Sequence, residues 1–231
     1  MDEFRAVVKR ASTGCVVPSP SESLRFGAAF GLGVASTLVA VRVRRSLARY
    51  STCEDIPSAL FSGAKIRGRV AKVSDGDTFR MYHTPIFGSP LDGASGKLSE
   101  HTLHVRLAAV DAPETAKFGA QGMPFAIEAK DELTRLLPEG IDVTVKLLHK
   151  DQYGRAVGQV YAGRWPFRTD ASAAVLEKGF GSIYRKQGAV YGDDLARYEQ
   201  AEADAQAREV GIWSLGPNRE TPAEYKRRTK A

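Results

Sequence analysis

The 231-residue chain has only two cysteines, Cys15 and Cys53, too few for a disulfide framework or a cysteine-based zinc site. Its four histidines contain no H-E-x-x-H pair, which excludes a zincin-type metalloprotease. Proline and glycine, 11 and 22 residues, are too sparse for collagen or general disorder. GASGKLS (93–99) lacks the first glycine of a P-loop and has leucine after Lys97, so no Walker-type phosphate loop is present. There is no internal repeat. A broad basic face is missing too, although the net charge is +6. Residues 1–50 hold eight basic and three acidic side chains, and residues 219–231 hold five and two. The remaining 51–218 hold 20 basic and 22 acidic side chains. Any nucleic-acid contact must therefore come from a local site. What is left is 43% hydrophobic and 26% charged, the profile of one globular domain with appendages.

Sixteen uncharged residues, FGAAFGLGVASTLVAV, run from 26 to 41. As a helix they span roughly 24 Å, somewhat short of a hydrocarbon core of about 30 Å. Arg25 and Arg42 can snorkel, which extends the candidate transmembrane helix to 24–43. Gly27, Gly31 and Gly33 suit a membrane helix better than a soluble one. The acidic start MDEF and the late apolar run argue against a secretory signal, while a cleaved mitochondrial presequence remains an alternative. Arg42, Arg44, Arg45 and Arg49 on the C-terminal flank keep the large domain on the non-translocated side. The expectation is a single-pass membrane protein with a polar segment at 1–23 and a linker at 44–62.

The domain itself is expected over 63–216, followed by a basic tail at 217–231. KIRGRVAKV (65–73) and TFRMYH (78–83) read as strands around an Asp75-Gly76 turn. The Gly-, Ser- and Pro-rich stretch 85–102 reads as a loop, and LHVRLAAV (103–110) as a buried strand. Residues 141–149 and 156–162 predict a hairpin. Helices are predicted at 124–137, 170–178 and 193–210 from apolar spacing, capping residues and terminal glycines. Short strands with three helices gathered late suggest an α+β domain built on a closed barrel.

Three short motifs carry the chemistry: SDGDTF (74–79), RLAAVDAPET (106–115) and DQYGR (151–155). Between them they hold carboxylate oxygens for a hard cation, two guanidinium forks for a phosphate, and a spare carboxylate as base. Hydrolysis of a phosphodiester needs those parts. Each has a plainer reading alone. Asp75-Gly76-Asp77 is an ordinary turn with solvated carboxylates, and it is not an EF-hand, because Phe79 and Ile86 replace oxygen ligands. Arg106 with Glu114 makes a structural ion pair at a sheet edge, and Arg155 a turn cation. The histidines read as strand or loop residues.

Together the motifs match D-G-D-T, R-L-x-x-x-D-x-P-E and D-x-Y-G-R in order, with G-I-W-S at 211–214. On them the stretch 65–214 resembles the staphylococcal nuclease family. The resemblance implies a five-stranded OB-fold barrel with three helices. With the apolar segment in front, the arrangement resembles the membrane-anchored mitochondrial endonucleases of fungi within that family. It further implies Ca2+ bound by Asp77, Asp111 and the backbone carbonyl of Ala112, with Asp75 supporting them from behind. Glu114 would be the base that activates water, Arg106 and Arg155 the phosphate-binding, transition-state-stabilising arginines, and Tyr153 a nucleotide contact. The substrate would be DNA or RNA, and the protein a monomer. Gln152 departs from the lysine of the best-known bacterial member, and the loop 85–102 is longer. Tyr184 and Tyr191 are candidates for the tyrosines that flank the nucleotide there. The rival expectation is a binding module without catalysis, and a third is a membrane adaptor whose domain binds protein; the complete set of arginines and carboxylates favours the enzyme.

Overall fold

A computed structural model describes residues 47–89, 96–116, 121–163, 166–186 and 188–229. The predicted membrane helix at 24–43 and the segment 1–23 lie outside them, as does part of the loop 85–102. Among the described residues no helix is long and apolar enough to cross a membrane.

Alternating apolar positions build the strands β1 (Lys65–Asp75), β2 (Thr78–Thr84) and β3 (Leu103–Leu107), which pair antiparallel in sequence. β5 (Asp142–Lys150) pairs with β1 on its other edge and with β6 (Ala156–Ala162). A parallel pairing of β3 with β6 then closes five strands into a barrel, and so no edge is left in it. Val70, Phe79, Met81, Leu103, Val105 and Leu147 are buried in its core. Two register shifts in β1 bend that long strand around the barrel. Gly158 sits where β6 bonds both neighbours, and a Cβ there would lie 2.6 Å from the Lys146 carbonyl oxygen, a close approach that only glycine permits.

The run 103–110, expected as one strand, is two. β3 stops at Leu107, Ala109 turns through a left-handed φ of +67°, and Val110–Asp111 (β4) pairs with Ser182–Ile183 (β8) outside the barrel. That break swings Asp111 out of the sheet. The two-residue strand β7 (Thr169–Asp170) pairs antiparallel with the end of β6.

Among the described residues the α-helices that pack with the domain are α1 (Leu98–His101), α2 (Ala126–Leu136), α3 (Ala171–Glu177), α4 (Leu195–Ala207) and α5 (Pro222–Arg228). The predicted three are α2, α3 and α4. α1 lies inside the stretch read as loop, and α5 inside the basic tail. α2 buries Ala126, Ala129 and Leu133 and packs on β1. Asp170 caps α3 by accepting from the Ser172 and Ala173 N–H groups, and Tyr198 of α4 donates its hydroxyl to the same carboxylate at 3.1 Å. Thr221 and Glu224 form a capping box with Pro222 at the first position of α5, which supplies the helix-start hydrogen bonds the backbone lacks. Ahead of β1, Tyr50, Cys53 and Ile56 are buried in the core, so part of the expected linker packs on the domain.

Candidate active site

The β1–β2 turn carries Asp75 and Asp77, and β4 carries Asp111. What brings them together is Gly76. A Cβ at that position would lie 2.7 Å from the Ala129 Cβ of α2 and 2.9 Å from the Ala112 Cβ. The turn therefore seats against both the helix and the segment that follows Asp111. The Asp77 carbonyl accepts from the Leu107 N–H at 2.8 Å, and Thr115 donates its hydroxyl to Asp75 Oδ1 at 2.6 Å. The first two sequence motifs are thus tied directly to each other.

Arg106, on β3, lies between the carboxylates. Its Nη2 is 2.9 Å from Asp77 Oδ2 and 2.9 Å from Asp111 Oδ1, and it also donates to the Val110 carbonyl at 3.2 Å. Asp77 and Asp111 are almost fully buried, and Arg106 shows only 12% of its side chain to solvent. Burial works against the guanidinium charge, but Asp77 and Asp111 outweigh it and hold Arg106 more firmly protonated than an ordinary arginine. The β4 break aims Asp111 at the guanidinium, so the plainer reading of Arg106 as a sheet-edge ion-pair residue gives way to a buried arginine shared by two aspartates.

Glu114 forms an ion pair with Lys226, on α5. Lys226 Nζ is 2.7 Å from Glu114 Oε1 and 3.6 Å from Asp111 Oδ1. Burial works against this ammonium as well; Asp111, Glu114 and Asp77 outweigh it and raise its pKa above the ordinary lysine value.

Arg155 sits two residues ahead of Val157, the strand partner of Arg106. It directly precedes β6, whose first residues pair with β3 alongside Arg106. Its Nε donates to Asp151 Oδ2 at 2.7 Å, while its own N–H and that of Tyr153 donate to Asp151 Oδ1. Burial pushes the Asp151 carboxyl up, but these bonds outweigh it and leave it below the usual carboxylate range. The motif D-x-Y-G-R is thus a self-bonded turn that presents one guanidinium. Tyr153 is exposed on it, its ring 5.5 Å from the Arg155 guanidinium carbon. Tyr184 lies 5.5 Å below the guanidinium of Arg106, and its backbone carbonyl accepts from the Tyr191 hydroxyl.

A divalent cation can be tested against these donors. Asp77 Oδ1 accepts from Thr78 Oγ1 at 2.6 Å. Its other oxygen, though close to Arg106, is buried without an aligned hydrogen bond, and a buried lone pair left so is a cost that a cation would remove. All candidate donors are oxygens, which suits calcium. Among the described residues no three His, Cys, Asp or Glu side chains form a ready cage. The fit is therefore to an ion whose shell is completed by water and substrate.

Of the residues singled out in the sequence, Asp77, Arg106, Asp111 and Glu114 lie in one cluster, while Arg155 stands in the turn that leads into β6, the strand paired with that of Arg106. Sequence reasoning missed Lys226, although the T-P-A-E pattern at 221–224 signals a helix start there.

Residues 104–215 match the family described as staphylococcal nuclease homologue. The chain is 45% identical over 201 residues to endonuclease Htp3 of Saprolegnia parasitica, covering 87% of this chain and 94% of that protein. It is 36% identical over 220 residues to the probable endonuclease lcl3 of Pyrenophora tritici-repentis, covering 85% and 80%. With the probable endonuclease LCL3 of Schizophyllum commune the identity is 39% over 218 residues, covering 87% and 74%.

Proposed function

The chain belongs to the staphylococcal nuclease homologue family and is a nuclease; from that premise we propose that it is a calcium-dependent endonuclease of DNA or RNA, tethered to a membrane, with mitochondria the expected location. The observation that carries the reading is Arg106 held between Asp77 and Asp111 beside Glu114. Asp77, Asp111 and the Ala112 carbonyl would hold the cation, which when bound supplies Lewis-acid stabilisation of phosphoryl charge.

The chain's own residues divide the remaining work. Arg106 and Arg155 orient the scissile phosphate and neutralise the charge that grows on its oxygens in the transition state. Glu114 accepts the proton of the attacking water as the new oxygen–phosphorus bond forms and the bond to the leaving oxygen breaks. Asp151 keeps the Arg155 fork aimed, and Tyr153 offers an exposed ring for base stacking. Tethering rests on the uncharged run within 24–43.

The test is cleavage of single- and double-stranded DNA and of RNA by the full chain in calcium and in excess chelator, with Glu114→Gln alongside. Calcium-dependent cleavage that falls by roughly 10²-fold or more in Glu114→Gln, at an unchanged melting temperature, supports the assignment. Undiminished cleavage in chelator overturns the calcium reading, and parental turnover by Glu114→Gln overturns the base. Carbonate extraction tests the tether: the full chain should stay with membranes, and its release overturns that part.

A further inference from the structure

The most unusual contact in the cluster comes from the C-terminal helix. Lys226 leaves α5 and puts its ammonium 2.7 Å from Glu114 and 3.6 Å from Asp111, the proposed base and a proposed cation ligand. The charges of Asp77, Asp111 and Glu114 all act on Arg106 there. An ammonium and a divalent cation both offset carboxylate charge at this point, so the two are electrostatic substitutes. They also compete for the same oxygens, and the Glu114 lone pair engaged by Lys226 is not available to a water proton.

The helix that delivers Lys226 is fastened lightly. The Tyr225 hydroxyl donates to the Gln121 carbonyl at 2.8 Å, and Pro222 and Tyr225 are buried. Next to them lies a cavity of about 190 Å³ lined by Pro113, Met123, Leu215 and Pro222. The helix is joined to the body through Gly216, at φ +79°, a backbone state that glycine enters easily.

We infer that α5 is an autoinhibitory latch, with the Lys226 ammonium standing in for the divalent cation at Asp111 and Glu114 until calcium, with substrate, displaces it. The inference rests on the calcium-nuclease reading above. Because competition is reciprocal, calcium weakens the latch by the same factor by which the latch weakens calcium. The latch keeps the nuclease quiet at low calcium without a second protein.

Two measurements on the full chain test this. The first is calcium binding by isothermal titration, comparing the parent with Lys226→Met, which keeps the apolar stem and removes the charge. The variant should bind calcium at least about fivefold tighter, the lower end of ordinary coupling between sites, and reach half-maximal cleavage at correspondingly lower calcium. Tyr225→Phe removes only the bond to Gln121 and should shift both in the same direction, which covers the case of a Lys226 variant that folds poorly. The second is the acylation rate of Lys226, read by peptide mass in the parent protein, which should rise severalfold when calcium is added. Unchanged calcium affinity in Lys226→Met, or a Lys226 labelling rate indifferent to calcium, overturns the latch. So does a folded Lys226→Met that loses cleavage at saturating calcium, which would make the ammonium a phosphate contact. A parent that cleaves in calcium while failing these tests leaves the nuclease reading standing. Cleavage indifferent to calcium and chelator in both proteins overturns both.

Discussion

Replacing Arg106 with methionine should separate the architecture of the site from its chemistry. The guanidinium lies 2.9 Å from both Asp77 and Asp111, which are almost fully buried. Methionine fills much of the same volume and leaves those carboxylates facing each other without their counter-ion. Removing one member of a buried pair costs about 3–5 kcal/mol, because the remaining charge is both desolvated and unpaired. For a domain of this size each kilocalorie moves the melting temperature by about 2–4 °C, so metal-free Arg106→Met should melt about 6–20 °C below the parent. Calcium should recover part of that loss, since it cancels the exposed repulsion and binds only the folded site. The calcium-induced rise in melting temperature should therefore be larger in the variant than in the parent. Cleavage at saturating calcium should remain depressed by roughly 10²–10³-fold, the usual cost of removing one positioned donor of charge stabilisation. The assay is a pair of thermal melts in chelator and in calcium, with single-turnover cleavage on the same preparation. A variant that melts within about 2 °C of the parent in chelator, less than the shift one kilocalorie produces, would refute the claim that Arg106 holds the two aspartates together.

Gly76→Ala places a methyl 2.7 Å from the Ala129 Cβ and 2.9 Å from the Ala112 Cβ; such overpacking costs about 1–3 kcal/mol, and calcium affinity should fall with stability, so a variant with parental melting and parental calcium binding would contradict the seating argument. Arg155→Lys should lose nearly as much turnover as Arg155→Ala, because lysine keeps the charge but lacks the planar fork that Asp151 aims; near-parental turnover by the lysine variant would count against that role. His83 and His104 should stay neutral in the folded protein down to acid pH, each pushed down to about 4, first by burial and then by nearby arginines. Their unfolded forms protonate near the ordinary value of about 6.5, so the unfolded chain binds more protons between there and 4 and stability drains as pH falls through that window. Proton NMR titration of the two imidazoles checks this, and midpoints near the ordinary value would refute it.

The barrel was legible because its strands alternate and its turns carry Asp-Gly and Tyr-Gly signals. β2, β5 and β6 fall within two residues of their expected bounds. The run 103–110 misled because all eight positions are apolar or half-buried, and an apolar run says nothing about where a strand leaves its sheet. Ala109 enters the left-handed region only because Val110 finds Ile183 as its partner far along the chain. Local sequence holds no trace of that pairing. The motif residues were legible for the opposite reason. Asp77, Arg106 and Asp111 are polar groups placed at or beside the ends of apolar strands, where burial needs partners and the partners are one another.

Lys226 shows where this kind of reading stops and what replaces it. In sequence it begins a Lys-Arg-Arg run, and a run of charges reads as a solvated face. On α5 those three side chains point in different directions, because consecutive helical residues do not share a face. Tyr225 and Pro222 fix the rotation by being buried, and that rotation alone decides which cation turns inward. Arg228 pairs with Glu220 at the surface, while Lys226 reaches Glu114. A change that rotates the helix without touching any charge, such as enlarging the side chain at Ala223, should therefore alter calcium affinity as much as changing Lys226 itself. An Ala223→Leu protein with parental calcium binding and parental Lys226 labelling would show that the contact is set by the flexible lysine stem and not by the helix.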